Sequence, residues 1–569
     1  MLVLAAGVFI SQARASDLVY RGRLHAELVR QVPDLLKGFD PGTGRFGKGI
    51  FICTDQHPMF ALAVAYSIPG SAYYKDSALL DVIMKAGDAL IAAQDADGKW
   101  RFDKKDGSYW GQIYMPWTYS RWIRTYAIIK YDMPQARRDK WEKALVKGFD
   151  GISRTALKGR ANIPTHDAMA LYIAGVVLGR SGWSEQAARY IRGMAAAQSE
   201  GGFWSEHAGP LVGYNYVYVE AIGTYYACSS DKSVLPALRR AARYHWEMTY
   251  PDGRCVETVD ERNPYGDRIN PGNVGFTYTP EGRACLARQW GLLDWKLGSD
   301  LIASLLLHGV EGSLAGQPAA GTFVLNDHGQ PRAMTLRSGP WFVALSAFTA
   351  PLSESRWIQD RQNFVSIYHQ ETGLYAGGGN TKLQPAWSSF TVGNTALLRH
   401  KAGDADPEFK PAGELYHIPS EARLAPGADP QLDLVYGPVN CHIKLKIEPA
   451  GVASYEIWAS GRTKLPVVAH LTLIPRLGKP LKTGGGFNGV LGKKRIDLDA
   501  AGLGGKMNYG GMQLTLPEGT ALHWPALPHD PYVKDGGARP EQGRIELRIP
   551  LTPDGGIKTV RLKLETGNE

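Results

Sequence analysis

Over 569 residues the chain has only five cysteines and 14 histidines, and neither set is arranged for a metal. Cys53, Cys228, Cys255, Cys285 and Cys441 are odd in number and far apart, which excludes a zinc pattern and a disulfide scaffold; one or two isolated disulfides are the most the spacing allows. No helix carries paired histidines and no calcium loop occurs, so metal is not expected to be needed for chemistry, and no cofactor is expected. No run of 18 apolar residues exists, which excludes a membrane-spanning helix. Clustered basic stripes are missing too. The formal charge of +9 favours an acidic partner, but Lys and Arg are scattered through every segment, and nucleic acid usually selects a clustered stripe. Anionic lipid and anionic polysaccharide remain as acidic partners, beside a plain solvated surface as the source of much of this charge; nothing in the pattern speaks to oligomeric state.

What is present begins with a short apolar run, Leu2 to Ile10, followed by Ala13-Arg14-Ala15, a small-x-small cleavage pattern. Residues 1–15 read as a signal peptide, with a buried first helix as the alternative, and the expected location is secreted or periplasmic. The length calls for two or three domains. Aromatics make up 10% of the chain, with 15 Trp and 27 Tyr, a content that disordered chains lack and that sugar clefts use for stacking.

From Leu24 to about Leu307 amphipathic stretches at helical periodicity alternate with Gly-, Asp- and Trp-rich turns. The clearest span 77–94, 117–131, 135–149, 166–180, 185–198, 214–228 and 234–249. Turns such as Asp97-Gly98-Lys99-Trp100 and Gly201-Gly202-Phe203-Trp204 recur after a helix, as expected for helical hairpins that cannot bury their apolar faces alone. Closed on themselves they make an (α/α) toroid; a linear solenoid is the alternative. After about Gly316 the period changes to two, with strands expected at 322–325, 333–336, 341–345, 363–368, 441–447, 453–459, 467–474, 512–516, 544–551 and 559–564. The fold class is therefore α+β multidomain: a toroid over 16–312, an antiparallel β-sheet domain over 313–430 and a C-terminal β-sheet region over 431–569, together a β-sandwich.

The segment Gly201 to Tyr216 is the most informative. His207 sits in a loop, and Tyr216, nine residues on, lies in a helix, an arrangement suited to proton transfer at a barrel rim. The segment resembles a loop of the polysaccharide lyases that join an (α/α) toroid to a β-sandwich, in particular the chondroitin AC, hyaluronate and xanthan lyase family. There Gly202-Phe203 matches a Gly-Phe region, His207 the catalytic His and Tyr216 the catalytic Tyr, with Tyr214 competing for the register. Asn162 stands where the family has a catalytic Asn, Arg262 and Arg268 where it has an Arg cluster, and Arg337 to Ser346 looks like its opening sheet strand.

The resemblance implies β-elimination at a uronate. Asn162 would hydrogen-bond the carboxyl group, His207 or an Arg would help neutralise it, and Tyr216 would take the carbon-5 proton and return it to the departing oxygen. His207 is the alternative base. Substrate-binding candidates are His166, Tyr214, Arg268, Trp204 and Trp117, with His369, Asn380 and Trp387 around the glycine triplet Gly377-Gly378-Gly379, expected as a sheet-domain loop closing over the cleft. Plainer readings stand beside these: Asn162 as a helix cap, the tyrosines as core, the arginines as solvated ion pairs. Two other functions fit as well, a glycoside hydrolase drawing on Asp167, Glu206, Glu220, Glu257 or Asp260, and a non-catalytic glycan-binding protein.

Overall fold

The computed structural model describes residues 17–47, 52–262, 264, 266, 268–316, 320–401, 403–449 and 451–565. The expected signal segment lies outside them. The helical part consists of α1 (Arg21–Lys37), α2 (Pro58–Ser67), α3 (Ser77–Ala93), α4 (Pro116–Ile129), α5 (Gln135–Thr155), α6 (Asn162–Val177), α7 (Ser181–Ala196), α8 (Val212–Ser229), α9 (Leu235–Glu247), α10 (Pro280–Leu292) and α11 (Ser299–His308). Helices α2, α4, α6 and α8 pack in sequence, the 3-10 segment Val274–Tyr278 packs between α8 and α11, and α11 returns to α2, so the ring closes. A toroid, not a solenoid, is the outcome. Helix α2 is buried from Met59 to Tyr66, as an inner-ring element surrounded by other helices must be, whereas α1 buries only the stripe Leu24, Leu28 and Val32. Small residues set the spacing: a Cβ on Gly87 would lie 1.9 Å from the Trp141 ring, and one on Gly148 1.8 Å from the Tyr119 hydroxyl.

Gly312–Ser313 pairs antiparallel with Asp17–Leu18, tying the two ends of the helical part together. Two antiparallel sheets follow. The first runs in the order 496–498, 521–526, 544–551, 467–473, 373–376, 365–369, 341–346, 330–338, 321–327, with 390–393 and 415–416 branching from 467–473. The second runs 421–425, 431–436, 439–447, 453–461, 558–564, 512–515, 506–509, 480–483, 488–490. Strands from both sides of position 430 therefore share the first sheet and one core, and the expected division there does not separate two bodies. The error has a simple origin: a sandwich interleaves distant strands, and a Pro- and Gly-bearing link looks like a linker whether or not the chain returns to the same sheet.

Strand Trp341–Ser346 shows how the layers stack. Val343 and Leu345 point into the sandwich core with Ile367, while Phe342 and Ala344 point into the toroid core with Tyr368. Both faces are buried, which is why this strand reads as a continuous apolar run. Tyr250 of the toroid stacks on Tyr368 with ring centroids 5.4 Å apart. All five cysteines are free thiols, so the disulfides the spacing allowed are not formed.

Arg361 and Glu261 join the two layers through an ion pair of 3.0 Å whose side chains are 1% and 0% exposed. Glu261→Ala leaves that guanidinium buried and unpaired, a loss of about 3–5 kcal/mol, while Glu261→Ala with Arg361→Met recovers much of it. Denaturant titration of the three proteins reads both outcomes.

Candidate active site

Contacts between helix starts show that the inner helices begin at one mouth of the toroid. His57, just before α2, lies 3.4 Å from Thr118 of α4; Ser120 of α4 meets His166 of α6 at 3.1 Å; Arg121 of α4 holds Asp300, at the start of α11, through two nitrogens. The protein's own carboxylates meet these helix starts: Glu206 at α6, Asp260 at α8 and Asp300 at α11. The sheet layer faces the same mouth, since Asn380 donates to the Asp260 carbonyl at 2.9 Å and Asp260 in turn accepts the Val212 N–H at 3.0 Å at the start of α8.

A two-stranded hairpin, Ser205–Glu206 and Gly209–Pro210, stands on this rim. Its turn residue His207 has φ +54°, which exposes the ring, and it lines a hollow of about 360 Å³ with His328 and Arg332 of the sheet layer. Glu206 turns the other way. It accepts the Asn162 backbone N–H at 2.8 Å, the Asn162 side-chain amide at 2.9 Å and the Tyr218 hydroxyl, all on one oxygen. Asn162 is thus the first residue of α6, with its amide clamped by Glu206 rather than capping its own helix.

The two competing tyrosines part company. Residues two apart on a helix point about 200° away from each other, so Tyr214 and Tyr216 cannot face the same opening, whereas Tyr214 and Tyr218, four apart, can. Tyr216 is buried in the wall, its ring 3.9 Å from His245 and 5.5 Å from Phe276, bordering a small space of about 10 Å³. It does not share a cleft with His207, which corrects the expected pairing. Tyr214 is half-buried, with the Arg262 guanidinium 5.4 Å from its ring centre. Burial raises its phenol pKa, while Arg262 opposes the rise and Glu206, Asp260 and Tyr532 add to it, which places those groups around it. Arg268 is exposed on a groove of about 490 Å³ with Gly213, Glu257 and Asp260.

The remaining candidates divide between mouth and core. Trp117 is half-buried at the mouth, 5.6 Å from His166. His166 is fully buried, and burial beside Arg121 and Arg124 holds its imidazole well below the usual range, so it stays neutral. Trp204 is core, stacked on Tyr218 and donating to the Met194 carbonyl. His369 packs edge-on to Trp341 and accepts the Glu371 N–H. Asn380 accepts the Gln362 and Asn363 N–H groups, and Trp387 donates to the Ala526 carbonyl beneath Arg544. The glycine triplet is not a lid of free polar groups. Gly378 donates to Glu257 and a Cβ on Gly379 would lie 2.9 Å from Pro264, so glycine here lets sheet and toroid backbones meet. Among the described residues no group of three or more His, Cys, Asp or Glu could hold a metal.

Sequence reasoning missed the clamp of Glu206 on Asn162 and Tyr218, although the four-residue spacing of Tyr214 and Tyr218 was available to find half of it. His328 and Arg332 carried no signal, being more than a hundred residues from the hairpin they face.

No family model and no curated protein matches the chain. Solved structures do. A Paenibacillus xanthan lyase superposes with a TM-score of 0.58 at 12% identity over 96% of this chain and 57% of that one. Heparinase III gives 0.53 at 13% identity over 90% and 76%, and a chondroitin AC lyase of Streptomyces coelicolor A3 gives 0.52 at 12% over 96% and 80%. The chain thus has the polysaccharide lyase fold of toroid plus β-sandwich, and it spans little more than half the length of the xanthan lyase. Among the described residues no helix is long and apolar enough to cross a membrane.

The histidines of this half make the fold acid-sensitive. Burial lowers the His245 pKa from 6.5 to about 3, so the unfolded chain binds the proton more readily and stability is lost as pH falls from about 6.5 toward 3. Between pH 7 and 5 this one group is worth about 2 kcal/mol, and His245→Phe should reduce the acid loss of unfolding free energy by that amount. An unchanged pH profile in the variant contradicts the assignment.

Proposed function

We propose that the chain is an exported polysaccharide lyase that cleaves a uronate-containing anionic polymer by β-elimination at the toroid mouth. The observation that carries this reading is the grouping of an amide, a phenol and a guanidinium at one place. Asn162 is clamped by Glu206, Tyr214 feels Glu206 and Arg262, and the mouth gathers helix N-termini. The likeness to lyases of known structure supports it through the fold.

Elimination requires removal of the carbon-5 proton, cleavage of the bond between carbon 4 and the glycosidic oxygen, and formation of the 4,5 double bond, with the proton returned to the departing oxygen. One N–H of the Asn162 amide goes to Glu206, and the other is the donor for the substrate carboxylate, on which charge builds as the proton leaves. Tyr214 is the group placed to take and return the proton, with Arg262 opposing the rise that burial imposes on its phenol. His207, exposed on the hairpin beside Arg332, meets the anionic chain at the outer lip, and Arg268 meets it along the groove.

Three of the five carboxylates considered for a hydrolase are otherwise engaged, which weighs for elimination. Glu206 holds Asn162 and Tyr218, Asp260 accepts the Val212 and Arg262 N–H groups, and Glu257 accepts from Tyr250, Ser366 and Gly378. Asp167 is fully buried, which raises its carboxyl pKa and keeps it protonated.

Screening acidic polysaccharides for ultraviolet-absorbing unsaturated product tests the reading directly. Tyr214→Phe should lower turnover by about two to four orders of magnitude with little change in binding, while Tyr216→Phe leaves turnover near normal. The reverse result restores the register with Tyr216, and indifference to both removes the tyrosine from the mechanism. In the same assay Glu206→Gln, which weakens the hold on the Asn162 amide, should lower turnover about tenfold or more, and Arg262→Ala should chiefly raise KM.

A further inference from the structure

A second hairpin of the toroid, Trp100–Asp103 paired with Tyr109–Ile113, projects between α3 and α4 toward the sheet layer. Its turn makes several contacts with two sheet-layer loops that are distant in sequence. The Lys104 ammonium lies over the Trp357 ring at 4.8 Å, the Lys105 ammonium over the Tyr532 ring at 5.1 Å, and Asp106 stands 3.9 Å from Arg356. The loops are joined to each other: Arg356 donates to the Val533 carbonyl at 2.6 Å, and Trp357 meets Tyr532 with ring centroids 5.8 Å apart. Tyr532 is also within electrostatic reach of Tyr214. The Gln359 N–H donates to the Glu261 carbonyl at 2.9 Å, which ties the first loop to the segment carrying Asp260 and Arg262, so the hairpin and the two loops meet on the rim between toroid and sheet.

Resting on the lyase reading, we infer that Lys104, Lys105 and Asp106 with Arg356, Trp357 and Tyr532 form a clasp across the mouth that makes the enzyme act from chain ends. A polymer lying in the mouth under a closed bridge must enter by its terminus, because an internal segment cannot pass sideways through covalently continuous loops. The clasp is made of cation–π contacts and one long ion pair at partly exposed positions, each individually weak. Removing a few side chains is therefore enough to open it without disturbing the cores on either side. The exposed Tyr109 and Trp110, which follow the turn on the same hairpin, give an arriving sugar chain flat surfaces on which to stack.

The test compares viscosity loss with unsaturated product on a long uronate polymer that the wild type degrades. The wild type should release product while viscosity persists, and Lys104→Ala/Lys105→Ala should lose viscosity severalfold faster per unit of product. Trp357→Ala, which removes the platform from the opposite side, should act in the same direction. Circular dichroism of both variants checks that they fold. Early viscosity collapse in the wild type, or variants that retain the wild-type ratio, overturns the clasp while leaving the lyase reading intact. No unsaturated product from any uronate polymer overturns the lyase reading, and the clasp inference with it.

Discussion

The whole arrangement depends on the burial of three carboxylates between Glu257 and Glu261, at exposures of 2% for Glu257, 2% for Asp260 and 0% for Glu261. A buried carboxylate is costly unless it finds donors, and here the donors come from different parts of the molecule. Glu257 draws in Tyr250 of the toroid, Ser366 of the first sheet and the N–H of Gly378. Asp260 accepts the first N–H of α8, and Glu261 accepts from Arg361. One loop thereby fixes the start of α8, with Tyr214 two residues on, relative to the sheet that closes the mouth. The glycine triplet follows from the same constraint, since a side chain at Gly378 or Gly379 would displace Arg544 or Pro264 from the contact.

Much of the fold could be read from periodicity. Helices expected at 77–94, 135–149 and 214–228 correspond to α3, α5 and α8, and strands expected at 341–345, 453–459 and 544–551 are all present. These elements share a strong local pattern, imposed by having one face or both in a core. Two features had no local signature. The inner ring is completed by the short 3-10 turn Val274–Tyr278, where Gly275 sits against Val219 at a distance that no Cβ tolerates, and nothing in the pattern marks such a turn as a ring member. The interleaving of the strands likewise depends on pairings between strands about a hundred residues apart, such as 373–376 with 467–473 in the first sheet and 453–461 with 558–564 in the second.

The candidate site was legible in its segments and not in its register. The resemblance favoured Tyr216 through the nine-residue interval from His207, an interval that can be counted without knowing where the helix begins. Once α8 is seen to start at Val212, helical geometry decides: Tyr214 and Tyr218 share the face toward Glu206, and Tyr216 must pack against His245. The polar residues around the glycine triplet failed for a different reason. Asn380, His369 and Trp387 are the types a sugar site uses, but they are equally the types that close backbone hydrogen bonds at a buried junction, and composition cannot separate the two uses.

The same distinction between composition and placement explains the charge. A net +9 spread along the chain gives no stripe, and the arginines nearest the ring axis do not supply one either: Arg121 is held by Asp300, and Arg124 donates to Ser120 and Ser304. The field at the mouth is set instead by fixed local groups: Glu206 and Asp260, which hold the first N–H groups of α6 and α8, and Arg262 and Arg268 on the rim. Such a field is short-ranged and fixed in orientation. It acts on charge at one point of a bound chain rather than uniformly along a long anionic polymer, the property on which the proposed elimination would draw.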